Sequence, residues 1–190
     1  MNYNYQSQQN YYDEDQYPCP WMRNPYYVPN VDQFLMPSQS NRAMNLSARN
    51  QFKGTVTKLN TGDILSQVLV DIGCGNSMSS VITTTSVKEF GIKIGSKVKT
   101  VVKSSDVMVM TDNGDNNKSS SDMKLSARNQ FKGTVIKIKL GDVNSQLLID
   151  TGCGNLVSSV ITTDSVRELG INIGSRVIAV IKATVVMIMA

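Results

Sequence analysis

The sequence of 190 residues contains no histidine, one tryptophan and three cysteines. Without histidine there is no Ser-His-Asp or Cys-His triad and no imidazole ligand for zinc, which removes the commonest general base and the commonest metal-binding nitrogen. No run approaches the roughly 20 apolar residues needed to cross a bilayer as a helix. The first ten residues, MNYNYQSQQN, have neither a basic segment nor an apolar core, so an ordinary secretory leader is not expected there. Aromatic residues are scarce over most of the chain: beyond residue 45 only Phe52, Phe90 and Phe131 occur. Single-stranded nucleic acid needs aromatic platforms in a basic groove, so a nucleic-acid role is disfavoured despite the net charge of +4.

What is present is distributed unevenly. All seven tyrosines, all five prolines and the tryptophan precede Ser38. Residues 1–45 carry Arg23 and Arg42 against Asp13, Glu14, Asp15 and Asp32, a net of −2, leaving +6 for the remainder. The segment 1–45 is rich in Tyr, Asn, Gln and Pro, too poor in aliphatic residues to offset chain entropy alone, and is expected to be disordered or extended. Two readings stand side by side. One is a solvated tail. The other is an adhesive arm that becomes ordered on another subunit, since tyrosines among amides make large contacts at low entropic cost.

From Leu46 the chain repeats. Residues 46–111 align with 125–190 at a constant offset of 79, without a gap, and 42 of the 66 aligned positions are identical. We divide the chain into an arm (1–45), a first domain (46–110), a flexible polar linker (111–124) and a second domain (125–190). Each unit of about 65 residues is small for one core, so support from its twin or from other chains is expected.

Within one repeat, Gln51 to Leu59, Gln67 to Ile72 and Ser77 to Ile82 read as strands separated by turns at Thr61-Gly62-Asp63 and Gly73-Cys74-Gly75-Asn76. A short helix follows, with Thr84 and Thr85 as candidate caps, capping-box spacing from Ser86 to Glu89, and a terminating Gly91. The second copy keeps Thr163, Ser165, Glu168 and Gly170. Val98 to Lys103 and Val107 to Met110 complete five strands, matched by Val177 to Lys182 and Val186 to Met189. The fold class is therefore mainly β: two tandem five-stranded OB-like barrels, each with one short helix, preceded by an extended tail. Met108, Met110, Met187 and Met189 alternate along the last strands and suit an interface.

In its SARNQFKG opening, its central VITTTSVKEFGI and its closing VVKSSDVMVM, each repeat resembles the molbindins, the molybdenum-pterin-binding proteins, and the related TOBE domains. The resemblance covers about 130 residues and excludes the arm. It implies a module that binds molybdate or tungstate, not an enzyme, with tandem versions closing into homotrimers and oxyanions held between domains. It also implies a cytoplasmic location. Carried over by position, the oxyanion ligands of the first repeat are Ser47, Arg49, Lys103 and Ser104, with Thr83 and Ser86 facing a neighbour. Those of the second are Ser126, Arg128 and Lys182, with Thr162 and Ser165. Ala183 stands where the first repeat has Ser104, so the two sites are expected to differ.

The residue types agree with that chemistry. A tetrahedral dianion needs convergent donors, which Arg supplies as a planar fork, Lys as a compact charge and Ser or Thr as hydroxyls. An arginine at a strand start equally suits a structural tie to a carboxylate, and duplication by itself preserves residues. Asp71 and Asp150 sit beside turns and read as backbone caps, not bases.

The cysteines leave two readings. Cys19, Cys74 and Cys153 are all disulfide candidates, with reduced thiols in a cytoplasmic protein as the default. Alternatively Cys19 reaches a GCGN turn on another subunit. That second reading belongs to a different functional class: a structural surface or fibre-forming protein, at a cell or spore surface, in which the ring is a building block linked by the arm.

Overall fold

The computed structural model describes residues 46–112 and 125–190; the expectations for the arm, Cys19 and most of the linker lie outside them. Alternation of apolar and polar residues decides the strands. In β2 (Leu65–Gly73) Ser66, Val68, Val70 and Ile72 point inward while the residues between them are more exposed. β1 (Asn50–Thr61) pairs antiparallel with β2, and β2 with β3 (Asn76–Thr83). A six-residue helix, α1 (Thr84–Glu89), precedes β4 (Lys97–Val102), which returns to pair with β1. The second repeat builds β6 (Asn129–Lys139), β7 (Asn144–Asp150), β8 (Leu156–Thr162), α2 (Thr163–Glu168) and β9 (Arg176–Ile181) in the same way.

The fifth strand of each repeat does not join its own sheet. β5 (Val107–Thr111) pairs with β9, Val109 opposite Ala179, and β10 (Met187–Met189) pairs with β4, Ile188 opposite Thr100. The two five-stranded sheets therefore run β10-β4-β1-β2-β3 and β5-β9-β6-β7-β8. The expected strand count per sheet is met, but each sheet draws its last strand from the other repeat. A one-turn 3-10 helix, Ser104–Asp106 or Ala183–Val185, carries the chain across. Ser159 on β8 donates from Oγ to the Val107 carbonyl at 2.7 Å, and Ser80 on β3 donates to the Val186 carbonyl at 2.6 Å, so the incoming strand is also tied to the opposite edge.

The exchange merges the interiors. Phe52, Val56, Val70 and Met78 form one buried cluster with Phe131, Val135, Leu147 and Ile149, and Val107, Val186 and Ile188 of the exchanged segments lie in it. Among the described residues no buried side-chain nitrogen or oxygen lacks a hydrogen-bond partner. Gly54 and Gly133 permit the close approach of the first two strands: a Cβ on Gly54 would collide with the Asp71 carbonyl and the Val70 side chain, and one on Gly133 with the Asp150 carbonyl.

Three local expectations are corrected. The helix caps are Thr83 and Thr162, whose Oγ1 atoms each accept a 3.1 Å bond from the amide of Ser86 or Ser165. Thr84, expected as a cap, is buried, with its hydroxyl bonded to Ser66 and to the Gly62 carbonyl. Thr111 belongs to β5, so the linker begins later than its composition suggests.

The third correction concerns the cysteines. Cys74 and Cys153 are not reduced thiols and do not await Cys19; they form a disulfide with each other, their Cα atoms 6.2 Å apart. Both occupy the left-handed region, with φ of 56° and 53°, between glycines that also have positive φ. Nearby, Asn155 Nδ2 donates to the Ile72 carbonyl at 3.3 Å, so the equivalent turns of the two halves meet. The bond spans 79 residues, and in the chain-entropy model such a loop stabilises by about 4.5 kcal/mol before any native-state strain is subtracted. Peptide mapping without reductant is expected to recover Cys74 joined to Cys153. Reduction is expected to lower the unfolding free energy in urea by about 2–4 kcal/mol while leaving the far-ultraviolet spectrum unchanged.

Candidate functional site

The SARNQ motif opens β1 and β6, and its asparagine anchors each strand to the other half. Asn50 is buried; its Nδ2 donates to the Ser158 carbonyl at 2.9 Å and its Oδ1 accepts from the Ser158 amide at 2.7 Å. Asn129 makes the same pair with Ser79, at 2.9 and 2.6 Å. The side-chain amide thus presents to β3 or β8 one donor and one acceptor, as a neighbouring strand would. This explains why Met78, Ser79 and Ser80 are buried in succession: one face of β3 meets the core and the other meets the twin's SARNQ segment.

With the asparagine fixed, the preceding arginine is carried over the opposite half. Arg49 Nη1 donates to Gln146 Oε1 at 2.7 Å, and Gln146 Nε2 donates to Ser158 Oγ at 2.9 Å. In the mirror position Gln67 Nε2 donates to Ser79 Oγ at 2.8 Å. Arg128 there lines a hollow of about 280 Å³ with Lys58, Asn60, Gln67 and Ser79, and makes no hydrogen bond or ion pair to the described residues.

Each arginine precedes a strand whose partner strand is followed by a lysine. Asn50 lies opposite Val102 and Asn129 opposite Ile181. The ladders end at these pairs, so Arg49 and Lys103, and likewise Arg128 and Lys182, are the residues just beyond the paired strand ends. All four are exposed, and among the described residues none is paired with a carboxylate. Lys103 and Lys182 also start the 3-10 turns that launch the exchanged strands; the Lys103 carbonyl accepts the Asp106 amide at 2.9 Å. Ser104 is half-buried and Ala183 buried at the equivalent point.

The other carried-over residues fall in two places. Ser47 and Ser126 lie exposed just before β1 and β6. Thr83 with Ser86, and Thr162 with Ser165, form hydroxyl pairs 2.7 Å apart at the helix entries, open to solvent. No hydrogen bond joins these pairs to the Arg and Lys of the same chain among the described residues, so within one chain the donors form separate groups. Asn50 and Asn129 were missed as site-building residues. Their signal was an asparagine retained inside a strand, where a polar amide has no place unless it meets a specific partner.

The chain is a duplicated, strand-exchanged β module with a cationic residue pair at corresponding places in each half. The TOBE domain model matches residues 46–109 and 125–188, and the chain belongs to the TOBE domain family. It is 37% identical over 156 residues to the molybdenum transport protein ModE of Azotobacter vinelandii, covering 82% of this chain and 54% of that protein. It is 46% identical over 68 residues to molybdenum-pterin-binding protein 1 of Clostridium pasteurianum, 36% of this chain and all of that one. A ModE from Herbaspirillum seropedicae is 34% identical over 146 residues, 77% of this chain and 52% of that protein. The chain thus spans about half the length of the ModE proteins. Its structure is similar to that of the cytoplasmic molybdate-binding protein ModG with molybdate bound, with TM-score 0.71 and 38% identity over 76% of this chain and 98% of ModG.

Removing the clasp should be costly. Replacing Asn129 by Ala leaves the buried Ser79 amide and carbonyl without their partners. The expected loss in urea unfolding is about 2–4 kcal/mol, with a similar loss for Asn50→Ala.

Proposed function

We propose that the chain binds molybdate, or the isosteric tungstate, as a store or buffer and not as an enzyme. The observation that carries this reading is the recurrence, in both halves, of an exposed arginine and an exposed lysine just beyond the ends of two paired strands, with no carboxylate partner among the described residues. Two like charges in adjacent positions are destabilising unless an anion lies between them. The similarity to molybdate-loaded ModG and to named molybdenum-pterin-binding proteins supports molybdate as that anion.

In this reading Arg49 and Lys103 hold one anion, with Ser47 and Ser104 supplying further donors, and Arg128, Lys182 and Ser126 hold the other. The hydroxyl pairs Thr83–Ser86 and Thr162–Ser165 complete the sites from neighbouring copies, which makes the site a property of an oligomer. A homotrimer is the assembly we propose. Exposed Ile64, Leu65 and Phe90, with Val143, Leu140 and Leu169 in the other half, support it, since Ile64 is 79% and Val143 72% exposed and such side chains gain from burial. Anion binding between copies then stabilises the assembly by mass action. Similarity to a protein described as cytoplasmic favours the same location here, where the Cys74–Cys153 bond is an exception to the reduced state usual in that compartment. The fibre reading, by contrast, loses its linking chemistry, because Cys74 and Cys153 are already bonded to each other.

Titration calorimetry with molybdate is expected to give saturable binding near micromolar. Arg49→Ala and Arg128→Ala should each weaken one class of site about tenfold or more, the loss of one charge-assisted hydrogen bond or two. The Arg128 class, which has Ala183 in place of a serine, is expected to be the weaker. No heat and no bound metal at about 1 mM molybdate would end the proposal.

A further inference from the structure

Gln67 and Gln146 occupy equivalent positions on β2 and β7, yet their carbonyls serve different donors. Gln67 lies directly opposite Asn60 on β1, and Gln146 directly opposite Lys139 on β6. Each glutamine donates from Nε2 to a serine of the next strand, Gln67 to Ser79 Oγ at 2.8 Å and Gln146 to Ser158 Oγ at 2.9 Å. That bond turns each Oε1 atom the other way, free to accept. Gln146 Oε1 accepts Arg49 Nη1 at 2.7 Å, whereas Gln67 Oε1 accepts Asn60 Nδ2 at 3.3 Å. The difference falls at a position where the repeats diverge, Asn60 in the first and Lys139 in the second.

A closed circuit of contacts results at Arg49 and an open one at Arg128. Asn50 is clasped to the Ser158 backbone, Ser158 holds Gln146, and Gln146 holds Arg49, the residue next to Asn50. Arg49 is therefore held both at its backbone and at its guanidinium. In the twin, Asn129 is clasped to Ser79 and Ser79 holds Gln67, but the last link goes to Asn60. Arg128 borders the same hollow of about 280 Å³ as Gln67 and Asn60 and donates to neither. Asn60 draws the Gln67 carbonyl toward its own sheet.

The consequence for anion binding is one of ordering. A guanidinium has five N–H donors, so one bond to Gln146 leaves four for an oxyanion. An arginine already held in place loses less freedom when an anion binds, and immobilising a long side chain is part of what binding costs. We propose, on the oxyanion reading of the two arginines, that Gln146 is a positioning residue for the Arg49 site and that Asn60 withdraws Gln67 from the same role at Arg128. The two sites then differ in preorganisation as well as in their direct donors.

Both parts are read on the full chain. Without ligand, ¹⁵N relaxation of the arginine Nε–H groups reports side-chain order, with the two signals assigned by Arg49→Lys and Arg128→Lys. Arg49 is expected to be ordered and Arg128 mobile. Asn60 is exposed, so Asn60→Ala should leave the fold intact and order Arg128, and adding Gln67→Ala should release it again. In molybdate calorimetry Asn60→Ala should tighten the Arg128 class about threefold and Gln146→Ala weaken the Arg49 class about threefold, each leaving the other class unchanged. Equal order at the two arginines of the unaltered chain, no ordering of Arg128 by Asn60→Ala, or ordering without tighter binding overturns the proposal while molybdate still binds. If no variant binds molybdate, the oxyanion reading fails and this proposal falls with it, a result the relaxation data keep distinct from absence of the tether.

Discussion

The exchange of the last strand between the two repeats is the constraint on which the remaining features rest. β5 completes the sheet of the second repeat and β10 that of the first, so neither repeat can close its sheet alone. Because both partners lie in one chain, the exchange carries no concentration cost, unlike a swap between separate molecules. A repeat of about 65 residues is small for an independent core, and joining two interiors into one cluster relieves that limit. The crossing also fixes the ends of β4 and β9, where Lys103 and Lys182 leave the sheet.

An approximate twofold relation between the halves follows, and it organises the polar contacts. Reciprocal pairs appear away from the axis, Asn50 with Ser158 and Asn129 with Ser79. Residues near the axis meet their own equivalents, as Cys74 meets Cys153. The asparagine clasp does structural and positional duty together, since the arginine next to it is thereby held over the opposite half. Symmetry is broken where the sequences diverge. Ile178 stands where the first repeat has Lys99 and Ala183 where it has Ser104, so duplication has left two similar frames with different electrostatics.

Much of this was legible in the sequence. Alternation located the strands to within a residue or two, because half-buried strands must alternate, and Gly91 and Gly170 marked the helix ends with φ of 62° and 61°. The caps slipped by one residue because three consecutive threonines offer three similar caps, and only burial of Thr84 decides among them. The exchange was illegible for a deeper reason. VMVM and VMIM are nearly the same strand and fit either sheet, so alternation reveals which face is buried but not whose sheet receives it. The site was readable as residue types through the family resemblance, yet the placement of Arg49 and Lys103 beyond two paired strand ends depends on register and the clasp on a contact between repeats. Local pattern does not encode either one. The equivalent cysteines did carry a clue, since identical residues at identical repeat positions can meet only if the halves are related by a near-twofold axis.

The central claim, that each sheet is completed by the other repeat's final strand, is tested most directly by interstrand nuclear Overhauser effects in the intact chain. Exchange places Val109 opposite Ala179 and Ile188 opposite Thr100. Cross-peaks for those two pairs are the expected result. Cross-peaks instead between Val109 and Thr100, and between Ile188 and Ala179, would mean that each repeat closes on itself and would contradict the account.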